Sequence, residues 1–171
     1  MSEPRIVDAT EQHIDGIAAI YTHAVENSIA TFDLVPPPPW HWHQLLQGAR
    51  ENPGHYVLVA LDPEDDVLGY AYSARYMERR GYDTTVVTSV YVAENAQGKG
   101  IGTALYRELF RRLDESELRL AVAGIAEPNP ASTALHRAFG FERVGTFNGI
   151  GVKFDKPIDV TWYQRPLAGA R

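Results

Sequence analysis

The sequence predicts an α/β fold in which helices flank one mixed sheet of about seven strands. Apolar runs with strand character alternate along the chain with amphipathic helical patterns. The runs "HYVLVALD" and "VLGYAYSARYM" are separated by the turn residues "PEDD", which is typical of an antiparallel hairpin. The chain has 171 residues, of which 44% are hydrophobic, and this predicts a single domain over 1–171 with a proper core.

The N-terminal part predicts a strand and two helices. "RIVDAT" has the pattern of a short opening strand, and "EQHIDGIAAIYTHAVEN" places apolar residues at helical spacing after Thr10, a helix-cap residue. The proline run at 36–39 predicts a stiff extended connector. A second short helix is expected to end between Gly48 and Gly54.

After the hairpin, strands and helices alternate. The segment "TTVVTSVYV" is almost continuously β-branched, which predicts a strand buried on both faces. "TALYRELFRRLDES" predicts an amphipathic helix, "LRLAVAGIA" a strand, and "PASTALHRAFG" a helix ending at Gly140. Two closing strands are expected in "FERVGTF" and "DVTWYQRPL". In the amphipathic helix the inward residues are predicted to be Leu105, Leu109, Phe110 and Leu113.

Composition excludes several classes of partner. The net charge is −6, so no basic field attracts nucleic acid or an anionic membrane, and a small-molecule or protein partner is favoured. The chain has no cysteine and no apolar run long enough to span a bilayer, and we expect a cytoplasmic protein. His41 and His43 alternate as metal ligands do, but no third ligand is near, and we expect no metal site.

The loop "QGKGIG" lies between a predicted strand and a predicted helix. Its spacing does not match the G-x-G-x-x-G dinucleotide fingerprint, and Lys99 is followed by glycine rather than the Ser or Thr of a Walker loop. Glycines permit close backbone approach, and the helix that follows presents free N–H groups that bind a pyrophosphate or a carboxylate. The alternative is an ordinary tight turn.

The exact loop string and a second motif resemble one family. Gln97 to Gly102 fit the pattern Q/R-x-x-G-x-G/A, which resembles the acetyl-CoA pyrophosphate loop of the GNAT N-acetyltransferase superfamily. "EPNPASTALHRAFGFERVG" resembles the second cofactor motif of that superfamily. The likeness covers almost the whole chain and implies the GNAT fold with acetyl-CoA as co-substrate.

A narrower resemblance indicates the acceptor. "IYTHAVENSIATFD", "LHRAFGFERVG" and "GVKFDKPIDVTWYQ" are similar to the phosphinothricin and methionine sulfoximine acetyltransferases and to related L-amino acid N-acyltransferases. The resemblance implies direct acetyl transfer to the α-amine of a small amino acid or analogue, in a detoxifying or amino-acid-modifying homodimer.

The resemblance also implies roles for residues around the donor. The Val90 backbone N–H would polarise the thioester carbonyl, or the segment is simply a core strand. Asn129 would bind the pantetheine arm or only cap its helix, and His136 would contact the donor and protonate the leaving thiolate, or only pack. The implied donor-binding set is Val90, Tyr91, Val92, Gln97, Gly98, Lys99, Gly100, Ile101, Gly102, Asn129 and His136.

On the acceptor side, the resemblance implies Phe32 as a pocket aromatic and Arg79 with Tyr82 as ligands of an α-carboxylate. Arg80 is the rival cation, and Phe32 is by default a core residue.

The general base is the one departure from the family pattern. The strand of the phosphinothricin group carries a glutamate at the position that is Val87 here. Glu26 is the best substitute candidate, and a water chain through Thr88 or Ser89 is another. Otherwise the acceptor is a different amine, such as a protein N-terminus, a polyamine or an aminoglycoside, or the chain binds acyl-CoA without catalysis.

Overall fold

A seven-stranded mixed sheet organises the fold, in agreement with the prediction. The computed structural model describes residues 3–170. In chain order the elements are β1 (Arg5–Asp8), α1 (Ile14–Asn27), α2 (Pro39–Glu51), β2 (Tyr56–Leu61), β3 (Val67–Arg75), β4 (Thr85–Val92), α3 (Ile101–Asp114), β5 (Leu120–Ala126), α4 (Pro130–Ala138), β6 (Glu142–Lys153) and β7 (Lys156–Pro166). This order of strands and helices is the predicted one.

The sheet is antiparallel except at one place. Its strand order is β1-β2-β3-β4-β5-β7-β6, and only β4 and β5 run parallel. The predicted hairpin is confirmed, because β2 and β3 pair antiparallel from Tyr56↔Ser73 onward. The helix α3 connects β4 to β5, as a parallel crossover requires.

Helices cover both faces of the sheet. On one face α3 packs with its four predicted inward residues, all of which are buried at 2% exposure or less. On the other face α1 and α2 bury a second cluster that includes Ile17, Trp42 and Leu46, packed against Tyr70 of β3. The proline run leads directly into α2, whose first residue is Pro39, so the predicted connector is also confirmed. Among residues 3–170, no helix is both long and apolar enough to cross a membrane.

The strand β4 is not buried on both faces, and that prediction is wrong. Val86 and Thr88 are buried, whereas Val87 and Ser89 are half-buried. The reason is tertiary: the face of β4 that carries Val87 and Ser89 opens into a cavity rather than into a core.

The closing strands are longer than predicted. The sequence pattern ended the first at Phe147, but β6 and β7 form a hairpin of 12 and 11 residues whose tip closes at the pair Lys153↔Lys156. Phe154 and Asp155 at this tip adopt φ angles of 52° and 57°, which a two-residue turn requires. Phenylalanine is not a usual turn residue, so the composition gave no signal for the turn.

The end of α3 is tied to β7 by an ion pair. Arg165 donates two hydrogen bonds to the Asp114 carboxylate, at 3.0 and 2.8 Å, and the Ala168 N–H donates a third at 3.0 Å. Burial acts to raise the pKa of Asp114, but the hydrogen bonds from Arg165 and Ala168 outweigh it and hold the pKa below its ordinary value. The charged carboxylate is therefore favoured in the folded state.

We expect Asp114→Asn to lower the free energy of unfolding at pH 7 by roughly 2 kcal/mol, since charge-assisted hydrogen bonds are lost. A depressed carboxyl pKa stabilises the fold at neutral pH, and this contribution disappears as the pH falls through the folded-state value. The difference from wild type should therefore shrink below about pH 4. Urea denaturation followed by circular dichroism measures the free energy of unfolding of each protein. The control is Glu117→Gln, a substitution at an exposed residue. A difference of equal size at pH 3 and pH 7 would contradict the assignment.

Candidate active site

A gap between β4 and β5 forms the centre of the site. These parallel strands pair at only three positions, Thr85↔Leu120, Val86↔Ala121 and Val87↔Val122. From Thr88 onward the strands diverge, so backbone groups of β4 that face the gap lack a strand partner across it. Two cavities open into this gap, and both are lined by Thr88, Ser89, Gly124 and Ala126.

The first cavity, called here the loop cavity, has a volume of about 420 Å³. The gap-facing part of β4, the loop from Gln97, the end of β5 and the helix α4 enclose it. The structure brings together here most of the residues that the resemblance implied for the donor: Val90, Tyr91, Val92, Gln97, Gly98, Gly100, Ile101, Gly102, Asn129 and His136. Lys99 is the exception among them, since its side chain does not line this cavity.

The glycine loop has the backbone of an anion site. Gly98 and Gly100 adopt φ angles of 72° and 78°, a region that side-chain-bearing residues rarely enter. Added Cβ atoms at these two glycines would meet no atom within 4 Å, so conformation rather than crowding requires glycine. The helix α3 starts at Ile101, and its first N–H groups have no carbonyl partner within the helix and point toward the loop. Such a helix start attracts negative charge.

Lys99 lies in a neighbouring cavity on the outer side of the same loop. This cavity measures about 660 Å³ and shares Gly100 and Ile101 with the loop cavity. Arg107 also lines it, and an Arg107 guanidinium nitrogen lies 3.8 Å from a Glu3 carboxylate oxygen. Two cations therefore lie next to the glycine loop, together with the carboxylates of Glu3 and Asp62.

The helix α4 presents Asn129 and His136 to the loop cavity. The Asn129 side chain accepts the Ser132 N–H at 3.1 Å, so the cap role suggested by the sequence is confirmed. His136 is 3% exposed, and its Nδ1 lies 2.7 Å from the Ser132 carbonyl oxygen. Because a carbonyl only accepts, Nδ1 carries the proton, and Nε2 accepts a hydrogen bond from the Tyr106 hydroxyl at 3.0 Å.

These contacts favour a neutral imidazole. Burial lowers the pKa of His136, although the hydrogen bond to the Ser132 carbonyl opposes the shift. Both ring nitrogens are already bonded within the protein, which counts against His136 as a proton donor. The buried Tyr106 was not singled out in the sequence, because an aromatic residue on the inward face of a helix looks the same whether or not its hydroxyl has a partner.

The second cavity, the hairpin cavity, has a volume of about 560 Å³ and lies against the β6–β7 hairpin. Val87, Ser89 and Trp162 form its floor, and Phe32 and Ile150 lie at its walls. The Phe32 ring covers Gly151 so closely that a Cβ there would overlap it. Phe32 is 37% exposed, so the default expectation of core packing is wrong, and its role as a pocket aromatic stays a prediction.

The loop that carries Phe32 is held by polar contacts that the sequence did not indicate. The Lys153 ammonium donates to the Thr31 carbonyl at 2.7 Å, and the Tyr21 hydroxyl donates to the Asp33 carboxylate at 2.6 Å. Both anchors join residues far apart in the chain, so no local pattern predicts them.

Three expected acceptor residues lie outside both cavities. Glu26 is exposed near the end of α1 and lines neither cavity, so the structure does not bring it to the site. Arg79 and Tyr82 are exposed in the β3–β4 connection. Tyr82 packs edge-on against Tyr76 with ring centroids 5.6 Å apart, and Tyr76 packs on Trp162 at 6.2 Å, which places the connection beside the hairpin cavity.

Metal ligands are not clustered in the part of the chain that the structure describes: no three His, Asp or Glu side chains there are placed to hold an ion together. The chemistry available is that of backbone amides, hydroxyls, one buried imidazole and an apolar cavity.

Known proteins are similar to this chain in sequence over nearly its full length. A phosphinothricin N-acetyltransferase from Streptomyces coelicolor is 41% identical over 97% of this chain and 98% of that protein. An L-methionine sulfoximine/L-methionine sulfone acetyltransferase from Pseudomonas paraeruginosa is 37% identical over 97% of this chain and 96% of that protein.

The structural comparison agrees. The crystal structure of a GNAT superfamily phosphinothricin acetyltransferase from Sinorhizobium meliloti, in complex with AcCoA, has a TM-score of 0.91 and 36% identity, covering 96% of this chain and 89% of that one. The model of the acetyltransferase (GNAT) family matches residues 17–141. With the sheet order, the diverging strands and the glycine loop, these matches show that the chain belongs to the GNAT acetyltransferase family.

Proposed function

We propose that this protein transfers the acetyl group of acetyl-CoA directly to the α-amine of a small amino acid or analogue such as phosphinothricin or methionine sulfoximine. The observation that carries the proposal is the meeting of two cavities at the β4–β5 gap. A donor in the loop cavity and an acceptor in the hairpin cavity would contact each other at Thr88 and Ser89, with no covalent enzyme intermediate required.

The donor fits the loop cavity by charge and by shape. Its pyrophosphate would accept hydrogen bonds from the N–H groups of 98–102, where the helix start favours anions. Lys99 in the neighbouring cavity is a candidate cation for further phosphate, whereas Arg107 there lies near the Glu3 carboxylate. The pantetheine arm would follow β4 toward the gap, where the Val90 N–H is our candidate donor to the carbonyl oxygen as negative charge develops on it.

The acceptor would lie in the hairpin cavity, with its amine at Ser89 and its side chain against Phe32 and Trp162. Arg79 is the candidate for the α-carboxylate, because the β3–β4 connection packs beside Trp162 through Tyr76. Among residues 3–170, no cationic side chain lines the cavity itself, so an acceptor with an uncharged side chain fits better than one with a second anionic group.

We also propose that two copies of the chain associate along β6. This strand is at an edge of the sheet, so its outer backbone groups have no partner strand within the described chain. Its exposed apolar residues are Val144, Phe147, Ile150 and Val152. Ile150 and Val152 line the hairpin cavity, so a second copy would cover Val144 and Phe147, in line with the homodimer that the family resemblance implies.

An acceptor panel tests the function. Protein supplied with acetyl-CoA and methionine sulfone, methionine sulfoximine, phosphinothricin, short peptides or polyamines should release CoA with the amino acid analogues. Methionine sulfone should have a kcat/KM at least about tenfold above that of phosphinothricin, since the phosphinate anion meets no cation in the cavity. CoA release only with peptides or polyamines would instead favour one of those acceptors. Acetyl-CoA binding without release would identify a non-catalytic acyl-CoA-binding protein.

Gly100→Ala tests whether the glycine loop binds acetyl-CoA. A left-handed backbone costs an alanine roughly 1–2 kcal/mol, so the loop should leave its anion-binding conformation and the acetyl-CoA Kd should rise about tenfold. Isothermal titration calorimetry measures the Kd. Gly48→Ala, in α2 and with open space around the new methyl group, is the control that should bind as wild type does. An unchanged Kd in folded Gly100→Ala would remove the loop from the binding site.

Val144→Glu tests whether two copies associate along β6. A charge on the exposed edge of β6 should convert a dimer into a monomer in sedimentation equilibrium. Exposed Glu117→Gln, in the connection between α3 and β5, should leave the mass unchanged. A wild-type protein that sediments as a monomer at high concentration would contradict the proposed dimer.

A further inference from the structure

The site lacks the two titrating groups that acid–base catalysis of acetyl transfer would use. Val87 lines the hairpin cavity at the position where the resemblance leads one to expect a base. Glu26 lies outside both cavities. His136, the expected acid, has both ring nitrogens engaged by Ser132 and Tyr106.

The proton balance of the reaction explains why neither group is needed. When the nitrogen lone pair of an unprotonated amine attacks the thioester carbon, a C–N bond forms. The C–S bond then breaks, and its electron pair leaves on sulfur. Nitrogen must lose one proton and the thiolate gains one, so the two demands cancel if a path joins the two atoms. Only an acceptor that arrives as an ammonium requires an additional base.

We propose that the enzyme takes its acceptor from solution as the unprotonated amine, and that the hydroxyls of Ser89 and Thr88, bridged by water in the β4–β5 gap, carry the proton from the amine nitrogen to the leaving sulfur. This inference rests on the proposed acetyl transfer. It assigns to two β4 hydroxyls the work that a carboxylate base and an imidazolium acid would otherwise do.

The two hydroxyls lie at the β4–β5 gap, where water would complete the path between them. Ser89 and Thr88 are consecutive on β4, so their side chains point to opposite faces of the sheet, and both line the loop cavity and the hairpin cavity. Thr88 is 3% exposed, and its Oγ1 lies 3.5 Å from the Tyr106 hydroxyl. A hydroxyl donates and accepts at once, so it passes a proton on without holding a charge.

The hairpin cavity selects against the ammonium form. Its described lining contains no carboxylate, and an ammonium ion that leaves water without a counter-charge is strongly disfavoured. The floor is apolar at Val87 and Trp162, and Phe32 covers Gly151 at the wall. The unprotonated amine loses much less hydration free energy than the ammonium ion when it enters the cavity.

The charged groups closest to the cavity are held by other partners or lie outside it. Asp33, between two lining residues, accepts from Tyr21 at 2.6 Å and is exposed. The Lys153 ammonium donates to the Thr31 carbonyl. Arg79 is exposed in the β3–β4 connection.

The phenols and the imidazole near the gap do not titrate at neutral pH. Burial raises the pKa of Tyr72 on β3, of Tyr91 on β4 and of Tyr106 on α3. Burial lowers the pKa of His136. The pH dependence of the reaction should therefore come from the acceptor.

The test is the pH dependence of kcat/KM for three acceptors whose amine pKa values differ: methionine, methionine sulfoximine and methionine sulfone. The rising limb should be centred at the amine pKa of each acceptor and should move with it, falling about tenfold for each pH unit below that value. A limb that stays at one pH for all three acceptors reports a titrating protein base and overturns the inference.

Val87→Glu and Val87→Gln form a matched pair. The glutamate supplies a base, so activity should extend to lower pH and its limb should no longer follow the acceptor. The glutamine has the same shape without the charge, so its limb should still follow the acceptor. A limb in Val87→Gln that departs from the amine pKa would count against the inference.

Thr88→Val and Ser89→Ala test the relay itself. Each should lower kcat at least about tenfold while the acetyl-CoA Kd stays the same, and Thr88→Ser should restore kcat because it keeps the hydroxyl. Unchanged kcat in both hydroxyl-free variants overturns the relay. Absence of CoA release by the wild-type protein with every acceptor at every pH is a different result, since it overturns the proposed function and the inference together.

Discussion

The short parallel pairing of β4 with β5 is the constraint on which the site depends. The two strands share three register pairs and then separate, with α3 starting beyond the end of β4 and α4 beyond the end of β5. Parallel strands joined through a helix form a continuous sheet wherever their backbone groups can pair. Here the pairing stops at Val87, so unpaired backbone, the glycine loop and two cavities meet at one place.

Burial without charge is the second property of this centre. His136 is held neutral by a carbonyl and a buried phenol, and the hairpin cavity is lined by apolar and hydroxyl side chains. In such surroundings the free energy of placing an ion is high, and proton transfer between neutral hydroxyls is favoured over transfer through charged intermediates. A valine at the position of the family's glutamate is therefore compatible with acetyl transfer that uses no carboxylate base.

The β6–β7 hairpin connects the sheet edge to the acceptor side. Its tip carries Lys153, which anchors the segment of Thr31 and Phe32, and its inner residues close the hairpin cavity. The same strand exposes Val144 and Phe147 at the edge of the sheet. Closure of the cavity and association of two copies thus depend on one structural element.

Much of the fold followed from local patterns in the sequence. Helical spacing predicted α1 and α3 with their buried residues, and the glycines between a strand and a helix predicted the loop that precedes α3, because periodicity and glycine content are properties of a few consecutive residues. Local patterns did not predict four other features. These are the partial exposure of Val87, the full length of β6, the hydrogen bonds to both ring nitrogens of His136, and the position of Glu26 outside the cavities. These depend on where two strands part and on tertiary contacts, such as that of Tyr106 with His136 and that of Lys153 with Thr31. The sequence by itself determined the donor loop and the order of elements, whereas the tertiary structure decided what surrounds the acceptor, since the environment of a side chain is set by the segments packed around it.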